Sequence, residues 1–339
     1  MRIPSGRNHM ACLAFYNNAG LQLLLWSTAS SSLCSWKHRI WLMKKKKPMS
    51  LHTTACQQDR PDRNRSLLSK QSLGQNFLYD DGYIQRICNQ VNFDVENGGK
   101  RIVEVGPGLG ALTRILHQRY PNMTTIEIDR RAVDHLHSHF PRLEVIHQDV
   151  LSTDWKALAE SRGGPLAVVG NLPYNITTPI LFALIKNSCH IDHAILTMQL
   201  EVARRITAKP RSKDFGVLSV FSQIHSKPSI LFPIPPSVFR PIPQVTSALI
   251  RLDFQPQRST ELLQHVTTEE LTQVVRTAFQ QRRKRMSNSL KSLTTRLQKN
   301  LPEDIQNRRA EELRPEDFIQ LTEYLFGHRE NIYIPQTLK

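Results

Sequence analysis

Arg101-Ile102-Val103-Glu104-Val105-Gly106-Pro107-Gly108-Leu109-Gly110 is the stretch on which the fold turns. Its near-continuous apolar opening fits a strand buried on both faces. The glycines that follow let the backbone turn sharply and approach a ligand with no side chain in the way. In open α/β sheets, ligands bind just beyond such carboxyl ends. The G-x-G-x-G spacing departs from the dinucleotide fingerprint G-x-G-x-x-G, because the third glycine comes one residue early. Taken alone, the loop leaves its ligand open.

Working outward, apolar β-type runs recur at 124–128, 143–146, 166–170 and 194–198, alternating with helical stretches at 111–120, 131–139 and 179–186. Strands alternating with helices imply a parallel sheet covered on both faces. The pattern changes at 228–253, where prolines punctuate β runs at 230–234 and 248–252; an antiparallel hairpin at the sheet edge is expected there. After Pro256 the chain reads as helical and basic. The expected organisation is an α/β domain over 66–256 and a small helical domain over 257–339.

The 339 residues carry a formal net charge of +16, which biases the protein toward polyanions. Half of that charge lies in residues 1–58, which hold Arg2, Arg7, Lys37, Arg39 and the four lysines 44–47 but no acid. An acid-free, basic, Ser-rich leader resembles an organelle-targeting presequence, so residues 1–65 are expected to be a targeting segment and linker. Its destination is expected to be the mitochondrion, with the plastid as the alternative. The apolar run 21–26 is far too short to span a membrane. Of five cysteines only Cys88 and Cys189 lie outside the leader, with no Cys/His cluster. That pattern gives no disulfide framework or metal site and suits a reducing compartment.

Two further acids narrow the ligand. Glu127, in Thr125-Ile126-Glu127-Ile128-Asp129, falls about twenty residues after the glycine loop, where a carboxylate can accept both ribose hydroxyls. Asp149, in Gln148-Asp149-Val150, follows the next strand and could accept from an adenine amino group. Glu-x-Gly-x-Gly-x-Gly followed by these acids resembles the S-adenosylmethionine pattern of class I methyltransferases, a Rossmann-like fold. NAD is the competing ligand.

The fourth strand runs into Gly170-Asn171-Leu172-Pro173-Tyr174-Asn175. Those residue types suit an exocyclic amine whose lone pair is delocalised into its ring. The Asn171 side-chain oxygen and the Leu172 carbonyl can each accept one amine hydrogen, favouring a tetrahedral nitrogen with its lone pair free. Pro173 fixes the turn, and Tyr174 offers a flat face on which an extracted base can stack. Positioning and carbonyl dipoles do most of this work, with no metal or strong base required.

Gly74-Gln75-Asn76-Phe77-Leu78, the glycine loop, Gln148-Asp149, 171–177 and 232–248 together resemble the small-subunit ribosomal RNA adenine N6,N6-dimethyltransferases, the KsgA-like family. The likeness runs from about residue 72 to 293, and the tail after about 300 shows no counterpart. It implies methyl transfer from S-adenosylmethionine to two adjacent adenosines near the 3′ end of small-subunit rRNA, during biogenesis of the assembling small ribosomal subunit. It also implies that Asn76 and Leu78 close over the methionine end, and that Gly106 and Gly108 line the cofactor. Glu127 would hold the ribose, Asp149 the adenine, and Asn171 the junction with substrate. Phe239 would stack on the face of the base opposite Tyr174. Asn76 stands where many relatives have His, which changes a donor but keeps a polar group.

Basic residues cluster at Arg204 and Arg205 with Lys209, Arg211 and Lys213, at Arg276 with Arg282, Arg283, Lys284 and Arg285, and at Arg308 and Arg309. Residues 280–285 are expected on a helix, and these clusters are expected to contact RNA phosphates, reading shape more than base edges. A monomer with no membrane association is expected. Competing functions are another N6-adenine methyltransferase and an organellar assembly or transcription factor that retains the fold.

Overall fold

The expected parallel strands form most of a seven-stranded sheet in the computed structural model, which describes residues 76–328. The presequence and linker read at 1–65, together with Gly74, Gln75 and the last residues of the tail, lie outside the described residues. The chain enters through β1 (Phe77–Leu78) and α1 (Asp81–Cys88), whose N-terminal amide at Tyr83 is capped by the Asp80 carboxylate at 2.9 Å. Then follow β2 (Ile102–Val105), α2 (Thr113–Arg119), β3 (Thr124–Glu127), α3 (Arg130–His139), β4 (Glu144–His147), α4 (Trp155–Arg162), β5 (Leu166–Asn171), α5 (Thr177–Lys186) and β6 (Ile191–Gln199). Two helices, α6 (Leu200–Thr207) and α7 (Val217–His225), precede β7 (Ser226–Ile234), β8 (Phe239–Arg240) and β9 (Ser247–Phe254).

The sheet order is β4-β3-β2-β5-β6-β9-β7. Strands β2 to β6 pair in parallel, while β9 runs antiparallel to both β6 and β7. The hairpin expected over 228–253 is therefore present, with β7 at the edge. Side chains alternate across the sheet as the two-residue strand period requires. Val103, Val105 and Val168 join the apolar cluster on one face, and Ile102, Ala167 and Val169 join the cluster on the other. Since β2 has β3 on one side and β5 on the other, sheet growth reverses at β2. Such a switch point opens a crevice at the strand carboxyl ends.

From Pro256 onward every regular element among the described residues is helical: α8 (Pro256–Leu263), α9 (Thr268–Gln280), α10 (Met286–Ser289), α11 (Lys291–Leu297), α12 (Glu303–Gln306) and α13 (Pro315–Leu325). Helix α9 starts with a reciprocal capping box between Thr267 and Glu270. The Phe279 ring lies 6.1 Å from that of Phe215 and 5.7 Å from that of Phe318, centre to centre. These rings belong to the same apolar cluster as Val103 and Phe221, so the terminal helices share the core of one sheet face. Among the described residues no helix is long and apolar enough to cross a membrane.

Candidate active site

A cavity of about 650 Å³ opens at the switch point, lined by the loops after β2, β3, β4 and β5 and by the segment around β1. Its volume lies in the range of small-molecule sites. The glycine loop supplies one wall. Gly106, Gly108 and Gly110 all have positive φ, at 65°, 55° and 83°. At Gly110 a Cβ would also sit 2.8 Å from the Phe140 ring, so both the turn and the packing require glycine.

Glu127 ends β3 and is buried. Its Oε1 accepts from the amides of Ile128 and Asp129 at 2.8 and 2.9 Å, and its Oε2 from Gly108 N at 3.0 Å. One carboxylate thus ties the second loop to the first, and it retains acceptor capacity toward the cavity. Asp149 is exposed at the cavity rim, and its Oδ1 accepts from Leu151 N at 2.9 Å. Glu104, on β2, also lines the cavity and accepts from Thr113 Oγ1 at 2.8 Å. Burial pushes its carboxyl up to about 8, and the charge of Glu127 acts in the same direction. At neutral pH this floor group is therefore mostly protonated.

The second wall is the loop after β5. Asn171 is the last residue of that strand, and its Nδ2 donates to the Asn76 carbonyl at 3.1 Å. That bond uses one of the two amide N–H donors and turns Oδ1 the other way, as an acceptor. Leu172 is buried and donates its amide to Thr197 O at 3.2 Å. The Pro173 carbonyl accepts from Ile176 N at 3.2 Å and from Thr177 Oγ1 at 2.9 Å, which closes the turn. Tyr174 is half-buried and lines the cavity, with its hydroxyl 2.6 Å from Ser247 Oγ. Burial raises its phenol above the ordinary value, partly offset by that hydrogen bond.

Asn76 and Leu78 line the cavity as expected of them. They are held there by a two-stranded ribbon in which β1 pairs antiparallel with β8, Leu78 opposite Phe239 and Phe77 opposite Arg240. Phe239, expected to face Tyr174 across the target base, is not among the residues that line the cavity. Its ring is fully buried with Leu78, Ile234 and Val238, because the β1–β8 pairing turns it inward. Arg240, the next residue, lines the cavity instead, and its guanidinium lies 4.5 Å from the centre of the Tyr79 ring. Sequence reasoning missed Glu104 as a titrating floor group, along with Tyr79, Arg240 and Ser247. For Glu104 the signal was an acid inside an otherwise apolar buried strand; the other three carry no local signal.

The basic segment 280–285 also departs from expectation. Helix α9 ends at Gln280, and the backbone leaves helical geometry at Gln281, with φ −122° and ψ 61°. Arg282 is drawn away by an ion pair with Glu311 at 2.8 Å and a bond to Ser212 O at 3.0 Å. Arg285 then pairs with Arg309 in an isolated bridge, and Met286 N donates to Arg308 O at 2.8 Å. The amide of Arg211 meets Glu311 O at 2.6 Å. Segments of three clusters far apart in sequence therefore meet at one junction, and of the predicted RNA contacts Arg204, Arg205, Arg283, Lys284 and Arg285 are exposed.

A family model described as ribosomal RNA adenine dimethylase matches residues 67–326. The match extends past residue 300, so the tail does have a counterpart in the family. The chain is 43% identical over 263 residues to the ribosomal RNA small subunit methyltransferase A of Salinibacter ruber, covering 78% of this chain and 87% of that one. It is 41% identical to the protein of the same name from Francisella tularensis, covering 76% and 97%. Among solved structures, a dimethyladenosine transferase from Plasmodium falciparum matches with a TM-score of 0.56 at 21% identity, covering 74% of this chain and 98% of that one. The 23S rRNA methyltransferase ErmE matches with a TM-score of 0.53 at 26% identity, covering 74% and 99%.

Proposed function

The chain belongs to the ribosomal RNA adenine dimethylase family, and from that premise we propose how this molecule methylates rRNA. It is an rRNA adenine dimethyltransferase, and its methyl donor is S-adenosylmethionine. The substrate is a pair of adjacent adenosines near the 3′ end of small-subunit rRNA, modified as the small ribosomal subunit is assembled.

The cavity suits the donor. Positive-φ glycines keep side chains out of one wall, Glu127 offers a carboxylate to a ribose, and Asp149 stands at the rim for an adenine amino group. When bound, S-adenosylmethionine supplies an electrophilic methyl group on a sulfonium. The protein's own part is to present the nitrogen. Asn171 Oδ1 and the Leu172 carbonyl each accept one N6 hydrogen, which localises the lone pair on nitrogen and aims it away from them. Tyr174 stacks on the extruded base and fixes its plane. Neither amide oxygen is basic enough to keep the proton that N6 loses, so it passes to water.

The observation that carries this reading is the tether from Asn171 Nδ2 to the Asn76 carbonyl, which fixes Oδ1 as an acceptor beside Tyr174. Asn171→Ala is expected to lower kcat for methylation by roughly a hundredfold or more at saturating S-adenosylmethionine, with the cofactor contact of Asn171 read separately as a calorimetric Kd. Wild-type turnover by that variant, read by mass spectrometry of the rRNA, would overturn the assignment. Retained subunit assembly by the inactive variant would point instead to a second, non-catalytic role.

RNA engagement falls to the helical domain after Pro256 together with helix α6 of the methyltransferase domain over 66–256. The exposed Arg204, Arg205, Arg283 and Lys284 contact phosphates, and the chain acts as a monomer free of membranes. The acid-free leader directs the protein to the mitochondrion. A fluorescent fusion of residues 1–65 that stays in the cytosol, or enters a plastid, would refute that destination.

A further inference from the structure

Tyr174 reaches the cavity from a loop whose backbone is fixed at Pro173, but its ring extends beyond those bonds. A tyrosine ring turns about two side-chain torsions, and a stacking platform works only if its plane is held. At the far end of this ring the hydroxyl makes a 2.6 Å hydrogen bond with Ser247 Oγ. Ser247 lies 73 residues away in sequence. It opens β9 and is fully buried. It pairs with Gln199 of β6 on one side and Ile234 of β7 on the other, so its backbone is clamped within the sheet.

The geometry points to Ser247 as a positioning residue for the methyl transfer, anchoring the Tyr174 hydroxyl so that the ring presents one fixed face to the adenine. This rests on the reading of Tyr174 as the stacking platform. Ser247 touches neither base nor cofactor; it acts through the ring. The anchor serves both rounds of transfer, since the same base must be held in the same plane once N6 already carries a methyl group.

A double-substitution cycle tests this with purified full-length protein and small ribosomal subunits lacking the modification. Tyr174→Phe removes the hydroxyl and keeps the ring; Ser247→Ala removes its partner. Each is expected to lower kcat roughly three- to tenfold, the range of one intramolecular hydrogen bond. The KM and calorimetric Kd for S-adenosylmethionine should stay unchanged. The double variant should be no slower than the slower single variant, because both remove the same bond. Losses that multiply, or full activity in Tyr174→Phe, would overturn the proposal. If Ser247→Ala fails to fold, Tyr174→Phe alone decides it by the same criterion. Tyr174→Ala separates the two levels. If it is as active as wild type, the stacking platform itself falls; if it is inactive while the hydroxyl variants are unaffected, only the anchor falls.

Discussion

Replacing Glu104 with Gln probes how the cavity floor handles charge. The native carboxyl is pushed from 4.5 up to about 8 by burial, with Glu127 adding to the rise. In the unfolded chain the same group ionises at its ordinary value. Between pH 4.5 and about 8 the native state therefore keeps a proton that the unfolded state has lost, so stability falls as pH rises through that window. Each pH unit costs about 1.4 kcal/mol, or about 5 kcal/mol across the whole window. Below the window both states are protonated, and above it both are ionised, so the dependence from this group vanishes. Gln keeps the size and the acceptor for Thr113 but does not titrate. Urea unfolding of both proteins at several pH values across the window gives the difference directly, with titrating groups that do not feel the Glu104 charge cancelling. The variant is expected to gain on wild type by about 1.4 kcal/mol per pH unit. A difference that stays constant through the window would refute the burial argument.

Phe239→Ala should lower stability by about 3–5 kcal/mol in urea unfolding, the cost of emptying a fully buried ring site. A collapse in kcat with stability intact would contradict the inward placement of this ring. Gly170→Ala would put a Cβ 2.6 Å from the Val105 carbonyl, forcing β5 away from β2 just before Asn171. A stability loss of about 1–3 kcal/mol and a sharp drop in methylation are expected, and wild-type behaviour in both would refute the close approach. Reversing Arg283 and Lys284 to Glu should weaken rRNA binding and flatten its salt dependence by about one unit of log–log slope per lost phosphate contact. An unchanged salt titration would remove that loop from the RNA interface.

Much of the sheet was legible because a parallel strand buried on both faces writes itself as a short apolar run. The runs at 101–106, 124–128 and 166–170 each became a strand within two residues of the expected ends. The glycine loop, Glu127 and the loop at 171–174 were legible for a related reason: each follows directly from a strand end. What stayed hidden depends on partners distant in sequence. The β1–β8 ribbon has two residues per strand, too few to show a period, yet it decides that Phe239 turns inward and Arg240 outward. Residues 280–285 have helical composition, but Glu311 and Ser212 hold Arg282 in a turn. Ser247 meets Tyr174 only because β9 inserts between β6 and β7, an order that no local pattern encodes.

The most direct test of the central claim is mass spectrometry of rRNA after incubating the purified protein and S-adenosylmethionine with small ribosomal subunits lacking the modification. Two adjacent N6,N6-dimethyladenosines are expected near the 3′ end of the small-subunit rRNA, absent when Asn171→Ala replaces the wild type. Unmodified small-subunit rRNA, or dimethyladenosine formed instead in large-subunit rRNA, would contradict it.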